Sequence, residues 1–150
     1  VSFGPTGVNM IVGAFQGANF GASTPGCLGP IHAAVGSLPE AGNTSFSMVA
    51  HKVPTGAPVF AYLGQSVLST PLPLAGIDVL VNPATAFGLY PAAVNNLGVA
   101  RLNFGIPINF PVGLAVAFQF AAVDPCGSQG FSASNAVGMI TMPKALTPFP

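Results

Sequence analysis

Acid–base and nucleophilic chemistry need groups that titrate near neutrality, or a nucleophile primed by one. This chain supplies few: His32, His51, Glu40, Asp78 and Asp124, beside the cations Lys52, Arg101 and Lys144. The histidines lie 19 positions apart on segments that read as separate strands, and nothing in the spacing sets a carboxylate beside either. Serines are plentiful, yet no Gly-x-Ser-x-Gly elbow marks one as activated. The expectation is a non-enzyme whose two histidines sit on strand faces with ordinary hydrogen-bond partners.

Other chemistries fare no better. Three separated carboxylates and two distant histidines make neither an oxygen cage nor a zinc site, so no metal and no cofactor are expected. Gly13-Ala14-Phe15-Gln16-Gly17 lacks the lysine and the strand-to-helix setting of a phosphate loop. Three Lys and Arg residues in 150 cannot neutralise a phosphate backbone, which excludes nucleic acid as the natural partner. Without Trp and with only Tyr62 and Tyr90 as phenols, an aromatic platform for sugars is thinly supplied; the twelve Phe read as core or contact anchors.

The charge count points elsewhere. Only 4 % of residues are charged, the formal net charge is zero and the sequence pI is 6.9, so nothing keeps copies of the chain apart. Arg101 is expected to pair with Asp78 or Asp124, giving register more than strength. Hydrophobic residues make up 51 % and the mean hydropathy is +0.68, but no run reaches the roughly 18 apolar residues of a spanning helix. A membrane β-barrel would need aromatic girdles and a polar lumen that this composition does not provide. Insertion into a membrane is therefore not expected.

Cys27 and Cys126 form no CxxC and no Cys/His ligand set. A single disulfide is the economical reading, with two buried reduced thiols as the alternative, and it favours an extracellular location. The first residue, Val1, fits a chain from which a signal peptide has been removed. Asn43-Thr44-Ser45, beside Gly42, is a sequon in a predicted turn and makes Asn43 a candidate glycosylation site.

The elements that must hold these residues are short. Nineteen Gly and sixteen Pro cut the chain into short segments, and the β-branched and aromatic runs between them read as strands of four to eight residues. Strands are predicted near 8–15, 31–35, 44–53, 59–63, 77–81, 98–104, 114–122 and 134–142. The one helical candidate, 83–95, has Pro83 and Pro91 too close together for more than a turn or two. Phe46, Met48 and Ala50 share one strand face, and Ala100, Leu102 and Phe104 share another. The fold class that follows is all-β: an antiparallel β-sandwich, jelly-roll or immunoglobulin-like, of about eight short strands.

Residues 114–123 are apolar on both faces, Leu114, Val116, Phe118 and Phe120 on one and Ala115, Ala117, Gln119 and Ala121 on the other. Such a strand must be covered twice, within the domain or by a neighbouring subunit. Residues 1–22 carry no charge and alternate Gly with bulky apolar residues. They are either an ordinary first strand or an arm, with Val8, Met10, Val12 and Phe15 as the side chains that would complete another copy's sheet. The sandwich is expected over 23–143, followed by a Pro-rich tail, 144–150.

A series of turn and core signals runs through the chain: Gly26-Cys27-Leu28-Gly29, Leu38-Pro39-Glu40-Ala41-Gly42, Ala57-Pro58-Val59-Phe60-Ala61-Tyr62-Leu63-Gly64, Gly105-Ile106-Pro107, Gly113 with Gln119, Asp124-Pro125 and Ser134-Asn135-Ala136-Val137. In this order residues 26–142 resemble the small Gly/Pro-rich β-sandwich domains near the C-termini of predicted secreted proteins of planctomycetes and related marine bacteria. The resemblance implies an extracellular sandwich without established enzymatic activity. The apolar arm departs from that pattern, and the module is expected to be the whole mature protein, without a large catalytic or adhesive domain beside it. Together these readings predict a secreted structural subunit that self-assembles into a filament, tube or sheet through apolar contacts and β-strand addition. The alternative is an extracellular module that binds a polysaccharide or cell-surface partner through exposed Phe, Tyr62 or Tyr90.

Overall fold

The computed structural model describes residues 18–143. Ten strands run in the order β1 Ala18–Phe20, β2 His32–Val35, β3 Ser47–His51, β4 Val59–Gly64, β5 Val67–Leu74, β6 Ile77–Val81, β7 Ala86–Val94, β8 Ala100–Asn103, β9 Ala115–Val123 and β10 Phe131–Ile140. Eight form one antiparallel sheet, ordered β1-β10-β9-β4-β7-β8-β3-β2, and β5 and β6 form a separate ribbon. The sheet curls until its ends meet: Ile31, just before β2, makes a parallel bridge to Ser134 in β10. The all-β antiparallel expectation is met, with ten strands among the described residues.

Period-two alternation builds the interior. Phe46, Met48 and Ala50 point into the core with Ala61 and Leu63 of β4, Ala100 of β8, Val116, Phe118 and Phe120 of β9, and Val137 and Met139 of β10. The rings of Phe118 and Phe120 meet edge to face at 5.9 Å. Leu102 packs at the margin of this core, while Phe104 at the end of the same face is exposed.

The other face of β9 has its own cover. Leu80 and Val81 of β6 pack on Ala117 and Ala136, joined by Tyr62 and Val67, so the β5–β6 ribbon forms a second layer over the sheet. The doubly apolar strand is thus covered within the chain. A two-residue turn, Ala75-Gly76, closes the ribbon with φ of 52° and 78°. Both central residues are left-handed, as the twist of a tight hairpin demands.

Two buried amides replace missing ladder bonds. Gln119 Nε2 donates to the carbonyls of Asp78 (2.8 Å) and Ser134 (2.9 Å), and its Oε1 accepts from Leu80 N–H at 2.9 Å. It pins the ribbon to the sheet. Asn135 sits where the β9–β10 register slips between Ala133 and Ala136. Its Oδ1 accepts from Ala33 N–H at 2.9 Å, and its Nδ2 donates to the Ala33 carbonyl (3.3 Å) and to Asn19 Oδ1 (3.1 Å), closing the curled sheet where backbone pairing fails.

Three strands escaped the sequence reading, two of them because of proline. The stretch 83–95 is a single 3₁₀ turn, Pro83–Thr85, followed by β7, and not a helical segment. Pro91 is tolerated in β7 because β8 pairs only with Ala93 and Val94, so no neighbouring strand needs its missing N–H on that side. Pro71 and Pro73 lie in β5, which pairs with β6 alone. The third, β1, pairs with β10 of the same chain, so the last part of the 1–22 segment joins its own sheet. The arm residues Val8, Met10, Val12 and Phe15, the strand expected at 8–15 and the tail 144–150 lie outside the described residues.

Candidate functional site

The two cysteines are bonded to each other, with Cα atoms 4.9 Å apart, and the bond is built around a buried acid. Asp124, 1 % exposed, accepts hydrogen bonds from Cys27 N–H at 3.2 and 3.3 Å, from Cys126 N–H at 3.0 Å and from Ser132 Oγ at 2.9 Å. A Cβ at Gly26 would collide with the carboxylate, so residue 26 must be glycine. Among the described residues Cys27, Asp124 and Cys126 are the one set of three candidate ligands within 4.8 Å of one another. With both sulfurs in a disulfide and the carboxylate committed to protein donors, the set is a structural clamp. The expected partnership of Arg101 with Asp124 gives way to this. Arg101 Nη1 instead donates to Ser47 Oγ at 2.7 Å across β8 and β3.

Asn43 lies in the predicted turn, but its side chain is fully employed. Nδ2 donates to Ser37 Oγ (3.0 Å) and to the Leu38 carbonyl (2.8 Å), and Oδ1 accepts from Ser45 N–H at 3.1 Å. A glycan on Nδ2 would remove at least one of those donors, so the geometry gives the residue a turn-forming role.

The histidines are brought together. In the antiparallel register of β2 and β3, His32 stands directly opposite His51, and both are exposed. Separation along the chain is legible from the sequence but strand register is not, and register is what makes the pair.

Two concavities of the sheet are strongly apolar. A groove of about 470 Å³ on the outer face lies between the ribbon and the sheet, walled by Leu72, Leu74 and Ile77 on one side and Tyr62 and Leu89 on the other. The amide that lines it, Gln119, is already committed to backbone partners. A second cleft of about 250 Å³ opens where β7 and β8 splay apart, lined by Phe87, Tyr90, Phe104 and Phe110 over the core residues Leu63 and Val116. Tyr62 pairs with Leu89 and Tyr90 with Ala61, so the two tyrosines occupy opposite faces of the sheet. They cannot form one binding platform. Sequence reasoning named the tyrosines but missed both concavities, which depend on how the ribbon docks and where the sheet splits.

No helix among the described residues is long and apolar enough to cross a membrane. Comparison with protein-family models, with curated proteins and with solved structures finds no match.

Proposed function

We propose that this chain is a secreted structural subunit that associates with copies of itself through apolar side-chain contacts. The carrying observation is its surface. Fifteen large hydrophobic side chains among the described residues are exposed, and Leu72, Leu74 and Leu89 among them rim the 470 Å³ groove. With six charged side chains in the whole sequence, little electrostatic repulsion opposes contact. The intramolecular disulfide fits an oxidising, extracellular setting, and the resemblance of residues 26–142 to secreted planctomycete sandwich domains points the same way.

The long open edges among the described residues, β5 and residues 86–92 of β7, carry Pro71, Pro73 and Pro91. Proline on an edge discourages backbone pairing. Association through side chains is therefore favoured over strand addition at these edges. The test is light scattering and negative-stain microscopy over a concentration series, at low salt and in 1 M salt. Ordered assemblies that persist in salt and dissolve in Leu74→Lys with Leu89→Lys are expected; a monodisperse monomer at all concentrations refutes the reading.

The aromatic cleft favours a second reading, a module that receives an apolar or ring-bearing ligand between β7 and β8. Binding of a glycan or aromatic probe by the dispersed monomer, lost in Tyr90→Ala, would select it.

A further inference from the structure

We infer that His32 and His51 form a two-imidazole site for a divalent transition-metal ion on the outer face of the β2–β3 pair. The argument begins with the ladder. Gly36 N–H donates to the Ser47 carbonyl at 2.8 Å, while both backbone groups of Ala33 are turned away from β3 to the Asn135 side chain. In an antiparallel pair the hydrogen-bonded positions alternate. The positions 36/47, 34/49 and 32/51 are therefore the hydrogen-bonded ones, and His32 faces His51 with Cα atoms about 5.5 Å apart.

Directly opposed residues share a face. Ala33 and Ala50, one step along each strand, are fully buried in the core, so the two imidazoles project from the opposite, solvent-facing side. Two ring nitrogens on one ion, each about 2.0–2.1 Å from it, stand about 3 Å apart. Side chains rooted at this spacing can meet that requirement. The scaffold is stiff as well: β2 is held by its ladder to β3 on one edge and by Asn135 on the other.

The surroundings leave the pair free to bind. The charged residue of β8, the next strand, is Arg101, opposite Val49, and its guanidinium is drawn along β3 toward Ser47, four residues from His51. Lys52 follows His51 where the backbone turns left-handed at φ 66°, leaving the strand. Two nitrogen donors leave the remaining positions to water, which suits Cu²⁺, Ni²⁺ or Zn²⁺, with Cu²⁺ the tightest by the usual order of divalent ions. Calcium and magnesium, which demand oxygen ligands, are excluded from this site.

The experiment is titration of the whole chain with Cu²⁺ in a non-coordinating buffer at neutral pH, followed by electron paramagnetic resonance. One ion per chain with a two-nitrogen imidazole signature is expected. His32→Ala and His51→Ala should each weaken binding about tenfold or more, because the second imidazole acts at high effective concentration. Both positions are exposed, and an unchanged far-ultraviolet circular dichroism spectrum establishes that the variants fold. Retention of the same signature in the double variant would place the ion elsewhere, at the amino terminus for example, and would overturn the assignment. So would a single-nitrogen signature in the unaltered chain, or no binding.

Discussion

Replacing Gln119 by leucine tests the idea that one amide holds the outer ribbon to the sheet. The side chain is 4 % exposed, and leucine keeps most of its volume while removing three hydrogen bonds. Two orphaned groups are fully buried, Leu80 N–H and the Ser134 carbonyl; the Asp78 carbonyl is only part-buried and can find water. At about 1–3 kcal/mol for each buried unsatisfied group, the loss is about 2–6 kcal/mol. Burial of Leu80 and Val81 contributes a similar amount, about 1.5–3 kcal/mol each, so the ribbon should loosen without the sheet dissolving. Urea denaturation measures the total, and limited proteolysis at the Ala75-Gly76 turn reports undocking. Gln119→Glu sharpens the test, since it keeps an acceptor for Leu80 but turns an oxygen toward two carbonyls; it should be at least as damaging. A Gln119→Leu protein within about 1 kcal/mol of the parent, with an uncleaved turn, would refute the reasoning.

Three further outcomes are expected. Reducing the disulfide, or Cys27→Ser with Cys126→Ser, should lower stability by about 4–5 kcal/mol for a loop of roughly 100 residues, read as a fall in melting temperature. Ala75→Asn should raise stability by about 0.5–1 kcal/mol in the same assay, because asparagine accepts the left-handed φ that alanine adopts at a cost. Pro73→Val with Pro91→Val should restore edge donors and yield thioflavin-positive aggregates at concentrations where the parent gives none; equal behaviour would show that the prolines do not guard the edges.

Alternation carried most of the fold in the sequence. The segments around Phe46, Phe60, Val79, Leu102 and Phe118 read as strands because β-branched and aromatic residues recur at period two, and residues 77–81 match β6 to the residue. What alternation cannot carry is a strand interrupted by proline. Residues 67–74 and 86–94 do not read as strands because Pro71, Pro73 and Pro91 argue against a central strand, and in the fold those positions have no pairing strand on one side. A signal did exist for the ribbon. Ala75-Gly76 lies between two apolar runs, but alanine in place of asparagine hides the tight turn. The cysteine pair was legible from count alone, whereas the Asp124 clamp and the opposition of His32 and His51 depend on register and loop path.

The sparse charge and the guarded edges bear on the same physical problem. A surface without repulsion is prone to indiscriminate association, and the most damaging form is edge-to-edge pairing that propagates without limit. Many β-domains oppose it with lysine and other charges. This one has three cations in all and carries prolines along its long open edges, with a register shift at Leu63 and Gly64 where β7 begins. Backbone pairing is discouraged while apolar side chains stay exposed, so the self-association proposed above would rest on contacts that depend on shape. The groove beneath Leu72, Leu74 and Leu89 and the cleft between β7 and β8 are two of the concave surfaces that would serve such contacts. Because Gln119 fixes the ribbon that forms one wall of the groove, a buried hydrogen-bond set also determines the shape of the surface through which the chain would recognise another copy.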